Sequence, residues 1–309
     1  MLFGGGAFDV SGEHPNQKGW DIFELGQRSF WAVPTALAWD EPVREDPRYS
    51  EAIAAMLSFL CPGEKMAVTG ASCIAAHMQT EEAQFYFVEQ ALEEAKHHDA
   101  LRRMIVRLTG RPLEPPKPLV RLLYTFGVID RDDVAFMMGN INIIGEHLAH
   151  QIFHRINHVA TDPQLRKLIA LIGKDESRHI AAGQRFFPEV WDRFARRRHE
   201  ILAKNLLVCL VLACAAYDLV RPMQTLRIDL AEVMEEMYRH YHDVVGGFGA
   251  FPDGALLEGL LRHLRWSTPR VIRAIAAMTT ETGEIDAGRL LGLCREAVRS
   301  PRALRRLFA

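Results

Sequence analysis

The 309-residue chain has no C-x-x-C pair, and its five cysteines (Cys61, Cys73, Cys209, Cys214, Cys294) are odd in number. That argues against a disulfide frame and against a thiolate zinc or iron–sulfur site, and it points to reduced thiols in the cytoplasm. Charge of one sign is also lacking. A formal net charge of −2 supplies no basic field for nucleic acid. The N-terminal stretch "MLFGGGAFDVSGEHP" has no basic segment followed by an apolar run, so no secretory signal is expected. The most apolar stretch, "LLVCLVLACAA" at 206–216, is about half the roughly 20 residues that span a bilayer. It reads as a buried helix, and no membrane segment is expected. There is no low-complexity tract, no alternating strand pattern and no flavin or nicotinamide fingerprint. What remains is 49% hydrophobic and 25% charged residues, an ordinary globular composition with enough chain for a large core.

Helical periodicity dominates that remainder. A Trp- and Pro-containing lead (1–47, with Trp20, Trp31 and Trp39) precedes a helix predicted over about 49–78, with a kink or break expected at Pro62–Gly63. Thr80, followed by Glu81 and Glu82, is an expected N-cap for a helix ending near Gly110. "RPLEPPKP" (111–118) reads as a stiff connection, followed by a short helix near 118–126 and a long one over about 131–160. Asp162–Pro163 opens a helix expected to end at Pro188. An apolar helix (about 189–219) and three or four shorter ones complete the chain. The expected organisation is a lead (1–47), a core (48–190), and additional helices (191–309) completing the same domain.

Within the core the sequence echoes itself. Residues 93–99 read "EEAKHHD" and 175–179 read "DESRH", giving two Glu-x-x-His pairs, Glu94/His97 and Glu176/His179. A further glutamate stands 30 residues before each: Glu64 in "CPGEKMAVTG" and Glu146 in "NIIGEHLAHQ". Every member of the triplet Glu64/Glu94/His97 recurs 82 residues later in Glu146/Glu176/His179. Two helical hairpins of equal arm length would bring each outer glutamate level with its inner pair, in a four-helix bundle. The acids lie on apolar stripes: Phe87, Ala91, Leu101 and Ile105 share the face of Glu94, and Leu57, Leu60, Ala67 and Ala71 that of Glu64. Burying one unpaired carboxylate costs several kcal/mol, so four gathered acids require cations, and two divalent metals balance them. Oxygen ligands with one imidazole per metal suit iron or manganese better than zinc.

On "GEKMAVTG", "EEAKHHDALRR", "IGKDESRH" and the lead "LGQRSFWAVPTALAWDEP", the chain resembles the di-iron carboxylate proteins of the ferritin-like superfamily. Within that superfamily it is similar to the small subunit of ribonucleotide reductase and the related ligand-binding di-metal oxidases, over roughly residues 20–200. The resemblance implies an all-α, ferritin-like four-helix bundle with additional C-terminal helices. It implies six metal ligands, Glu64, Glu94, His97, Glu146, Glu176 and His179, holding two iron ions or a Mn/Fe pair. Asp175 and Glu93 match acids that orient a ligand histidine of the opposite half, the alternative being solvated helix charges. The chain also departs from these relatives. Leu101 stands where the reductase subunit carries its radical Tyr, Ile141 where the oxidases carry a cross-linking Tyr, and Ile172 where arylamine N-oxygenases add a histidine. Tyr86 is a redox neighbour or a packing aromatic. His150, one turn after Glu146, is a candidate catalytic residue, as a seventh ligand or a proton donor; His77, His98, His147 and His154 read as structural or exposed.

The expected function is an O2-activating oxygenase or oxidase acting on a small or acyl-type organic substrate. The stretch "NLLVCLVLACAAYDLV" and the Trp266 segment would wall its pocket. An external electron donor, a ferredoxin or a reductase, is implied, and a homodimer is among the assemblies the resemblance allows. The alternatives are iron storage or peroxide scavenging as in ferritins and rubrerythrins, or a reductase-like subunit without its radical Tyr.

Overall fold

The computed structural model describes residues 17–115, 133–193 and 216–247, with isolated positions at 200, 201, 204, 272 and 273. Among the described residues there are helices and no strands, as the periodicity predicts. The elements are α1 (Gln17–Ser29), α2 (Val33–Ala36), α3 (Pro47–His77), α4 (Glu81–Thr109), α5 (Val134–Met138), α6 (Glu146–Val159), α7 (Pro163–Arg193), α8 (Val220–Thr225) and α9 (Leu230–Gly247). A π-helical stretch, Gly139–Gly145, joins α5 to α6 without a break. α3 pairs with α4 and α6 with α7, the two hairpins meet through α4 and α7, and α1 lies across both.

Local chemistry sets the helix ends. Pro47 opens α3 behind Asp46, whose carboxylate accepts from the Arg48 N–H at 2.8 Å. Asp162 does the same for α7, accepting from the Leu165 N–H at 2.9 Å ahead of Pro163. α4 stops at Gly110, whose φ of 73° is the left-handed conformation that glycine adopts without strain. Thr80 departs from expectation. It holds the N-cap position of α4 by backbone, but its buried hydroxyl makes no cap bond, and Glu81 and Glu82 supply the favourable charge in the first turn.

Neither Pro62, the expected kink or break, nor Pro188, the expected end, interrupts its helix. α3 runs through Pro62 and α7 through Pro188. A proline inside a helix removes one backbone donor, yet Phe59, Leu60 and Ala67 around Pro62, and Phe186, Phe187, Val190 and Trp191 around Pro188, are all buried. Packing on both sides of each proline outweighs the lost bond. The short helix expected near 118–126, most of the apolar helix of 189–219 and the Trp266 segment lie outside the described residues. By length and composition α3 could cross a bilayer, but 61% of its most apolar window is buried inside the protein, as in a core helix.

Candidate metal centre

The bundle places the six expected ligands together. Glu64 comes from α3, Glu94 and His97 from α4, Glu146 from the first turn of α6, and Glu176 and His179 from α7; all are buried, Glu64 being the most accessible at 5%. They form two groups, Glu64/Glu94/His97/Glu176 and Glu94/Glu146/Glu176/His179, in each of which the ligand atoms lie within 4.8 Å of one another. Around the first position, His97 Nδ1 is 3.5 Å from Glu64 Oε2, 3.6 Å from Glu94 Oε2 and 3.3 Å from Glu176 Oε1. Around the second, His179 Nδ1 is 3.1 Å from Glu94 Oε1, 3.6 Å from Glu146 Oε1 and 3.2 Å from Glu176 Oε2. Glu94 and Glu176 therefore offer one oxygen to each position and can bridge them. Glu64 and Glu146 serve one position each.

The outward nitrogens are held crosswise between the halves. His97 Nε2 meets Asp175 Oδ2 and His179 Nε2 meets Glu93 Oε2, both at 3.0 Å. With the proton on Nε2, Nδ1 is left as the electron-pair donor toward the carboxylates. Arg178 ties the two outer acids together, donating to Glu93 Oε1 at 2.5 Å and Asp175 Oδ1 at 2.7 Å. Lys96, the counterpart of Arg178 at the same 82-residue offset, reaches Asp175 Oδ2 at 2.9 Å. Trp31 donates its indole N–H to that oxygen at 2.8 Å and stacks on the His97 ring with centroids 6.2 Å apart. Glu93 and Asp175 are thus buried ion-pair partners rather than solvated helix charges.

Protonation follows from this packing. Burial pushes the carboxyls of Glu64 and Glu146 well above the usual range, and the neighbouring glutamates push the same way. Against burial, His179 holds Glu94 well below that range, while hydrogen bonds with Glu146 and His179 hold Glu176 at about 2. The imidazoles of His97 and His179 are raised against burial, the first by Asp175 and the second by Glu94. Bound cations would compete with protons for these groups.

The donor set fits a pair of metals. Glu94 Oε2, His97 Nδ1 and Glu176 Oε1 are buried atoms with no hydrogen-bond partner among the described residues, and all three face the first position. Buried polar atoms without a partner are costly, and a cation would satisfy all three at once.

The remaining expected residues sit apart from the two groups. His150 is half-buried in a groove between α1, α6 and α7, beside Phe153, Ile169 and Arg178, and burial lowers its basicity. Tyr86 is buried edge-on to Phe87 at 5.4 Å, its hydroxyl without a hydrogen-bond partner among the described residues. Leu101, Ile141 and Ile172 are buried apolar residues. His147 stacks on His240 with centroids 3.9 Å apart, while His98 and His77 bond the backbone oxygens of Cys61 (2.9 Å) and Cys73 (2.8 Å).

Two site residues went unread in the sequence. Gln90 Nε2 donates to Glu94 Oε1 at 3.1 Å and Glu146 Oε1 at 2.8 Å, and Asn142 Nδ2 donates to Gln90 Oε1 at 2.9 Å and the His179 carbonyl at 3.2 Å. Each precedes a ligand glutamate by one turn, Gln90 before Glu94 and Asn142 before Glu146. That repeated spacing was the available signal.

No protein-family model matches the chain, and no curated protein does. Solved structures do match. A variant R2-like ligand-binding oxidase with an aerobically reconstituted Mn/Fe cofactor aligns over 85% of this chain and 94% of its own, at 15% identity and a TM-score of 0.54. The dimanganese(II) NrdF of Streptococcus sanguinis aligns over 79% and 92%, at 10% identity and a TM-score of 0.55. The fold is ferritin-like. Inside this ferritin-like bundle lies a buried carboxylate/histidine site able to hold metals.

Beside that site is a cavity of about 80 Å³ between α3 and the π-helical stretch. Glu64, Glu94 and Glu146 reach it, and Phe59, Leu60, Met66, Ile141 and Leu148 give it apolar walls. At about 10–15 Å³ per water-sized body, it holds about five to eight.

Proposed function

We propose that this chain is a non-haem di-metal oxidase or oxygenase that uses O2 on a small or acyl-type organic substrate, whose apolar group enters the cavity beside the carboxylates. The observation that carries the reading is that cavity, apolar on its walls and carboxylate-lined on the side of the metal positions. Two bound iron ions, or a manganese and an iron, would supply the electron transfer to O2. Glu64, Glu94, His97, Glu146, Glu176 and His179 would hold them, Glu94 and Glu176 having an oxygen on the side of each position. Asp175 and Glu93 keep the imidazoles in the tautomer that presents Nδ1. The apolar walls exclude water from the reacting centre and orient the substrate by shape. An external ferredoxin or reductase supplies electrons. A radical-generating role like that of the reductase subunit is disfavoured, because the position expected for its phenol holds the buried Leu101.

The test is metal quantitation of the purified protein, followed by O2 consumption of the reduced protein with amines, aromatics and acyl chains offered in turn. The expected result is two metals per chain and O2 uptake accelerated by one substrate class. Two metals retained in Glu94→Ala would overturn the ligand assignment. Uptake indifferent to every substrate, together with cage-sized assemblies in light scattering, would favour storage.

A further inference from the structure

The near-twofold arrangement of the site is broken at an amide pair, Gln90 and Asn142. Applying the 82-residue offset, Gln90 corresponds to Ile172 and Asn142 to Leu60. The amide pair at the second position is therefore matched at the first by two buried aliphatic side chains. The consequence is visible in the hydrogen bonds. Gln90 Nε2 bonds Glu94 Oε1 and Glu146 Oε1, two of the three carboxylate oxygens that face His179 Nδ1. At the first position Glu176 Oε1, which takes the place of Glu94 Oε1 under the offset, has no hydrogen-bond partner among the described residues, nor do Glu94 Oε2 and His97 Nδ1. Asn142 fixes the Gln90 amide in this sense by donating to its carbonyl oxygen while also bonding the His179 backbone.

We infer that the Gln90–Asn142 pair makes the two metal positions unequal: a divalent cation fills the Glu64/His97 position first, and the Glu146/His179 position binds its ion more weakly. The physical reason is competition for the same oxygens. The Gln90 amide draws charge from two of the three carboxylate oxygens that a cation at the second position would use. Asn142 hinders the amide from turning away. At the first position nothing of the kind opposes the ion. Unequal positions allow two chemically different metals to be loaded in a defined order. Gln90 acts here as a positioning residue, through Glu94 and Glu146.

This inference rests on the di-metal reading proposed above, and the experiment separates their failures. Mn(II) alone is titrated into the metal-free full-length chain, with binding followed calorimetrically and by loss of the free-ion paramagnetic signal. Two Mn(II) per chain in two resolved steps are expected. His179→Ala should keep the tight step, and His97→Ala should keep only the weak one. Gln90→Leu, which imitates the first position, should narrow the gap between the steps by about tenfold, equivalent to about 1.4 kcal/mol. Gln90→Asn, one methylene shorter, withdraws the donor with less disturbance and gives the same reading if Gln90→Leu does not fold. An unchanged or widened gap in the Gln90 variants, or two equal sites in the wild type, overturns the inference and leaves the di-metal reading standing. Fewer than two Mn(II) per chain overturns both.

Discussion

Asp175 serves four partners with two oxygens: the Trp31 indole (2.8 Å), Lys96 (2.9 Å) and His97 (3.0 Å) on Oδ2, and Arg178 (2.7 Å) on Oδ1. Asp175→Asn keeps the shape and removes the charge. We expect it to lower metal affinity about 10- to 100-fold, through the loss of a carboxylate partner for His97. Titration of Mn(II) into the variant checks this, and unchanged affinity would mean that Asp175 serves the fold alone. Asp175→Ala should be worse for stability, by about 3–5 kcal/mol, because it leaves Lys96 and Arg178 underpaired in the interior; denaturant unfolding measures it. At this scale the six converging acids and imidazoles were legible because two identical spacings on apolar stripes are hard to reconcile with solvated charge. Gln90 and Asn142 were not. A neutral amide costs little enough on a helix face to carry no warning, and only the approach of α4 to the π-helical stretch shows which oxygens it meets.

Among the elements, the junction before α7 is held by Asp162. Its carboxylate caps Leu165 N, takes both Arg107 nitrogens at 2.9 and 3.1 Å, and accepts from Arg44 N at 2.9 Å. Burial opposes its ionisation, but the Arg107 guanidinium and the backbone donors win and hold it below the usual carboxylate range. A depressed folded-state value contributes stability that is present above the unfolded value and lost as pH falls through the folded one. Wild type should therefore lose stability with acid below about pH 4 more steeply than Asp162→Asn, in urea melts across pH. Gly183 marks another constraint: a Cβ there would lie 2.6 Å from Asn142 Cβ and 3.3 Å from its backbone oxygen. Gly183→Ala should cost about 1–3 kcal/mol by forcing α7 away from the π-helical stretch, and a thermal melt matching wild type would refute that. The caps at Asp46 and Asp162 could be read from sequence, being local chemistry. The passage of helices through Pro62 and Pro188 could not, since the neighbours that compensate come from other helices.

For the molecule as a whole, the centre joins four helices from two hairpins, so its occupancy should be felt in global stability. Ions that bind only the folded chain stabilise it by mass action, by about 2.7 kcal/mol at a hundredfold excess over the dissociation constant for each position. The melting temperature should rise with Mn(II) concentration in the wild type and much less in Glu94→Ala, which loses an oxygen from both positions. Equal shifts in the two proteins would place the stabilising ions elsewhere.

The sequence by itself determined the helical class, the pairing into two like hairpins and the identity of the six converging side chains, because periodicity and repeat spacing are properties of the chain. Only the tertiary structure decided that Glu94 and Glu176 each present one oxygen to either position, that His97 and His179 are braced by acids from the opposite half, and that an amide pair meets one position alone. Those depend on how helices distant in sequence approach one another, and no local spacing encodes that approach.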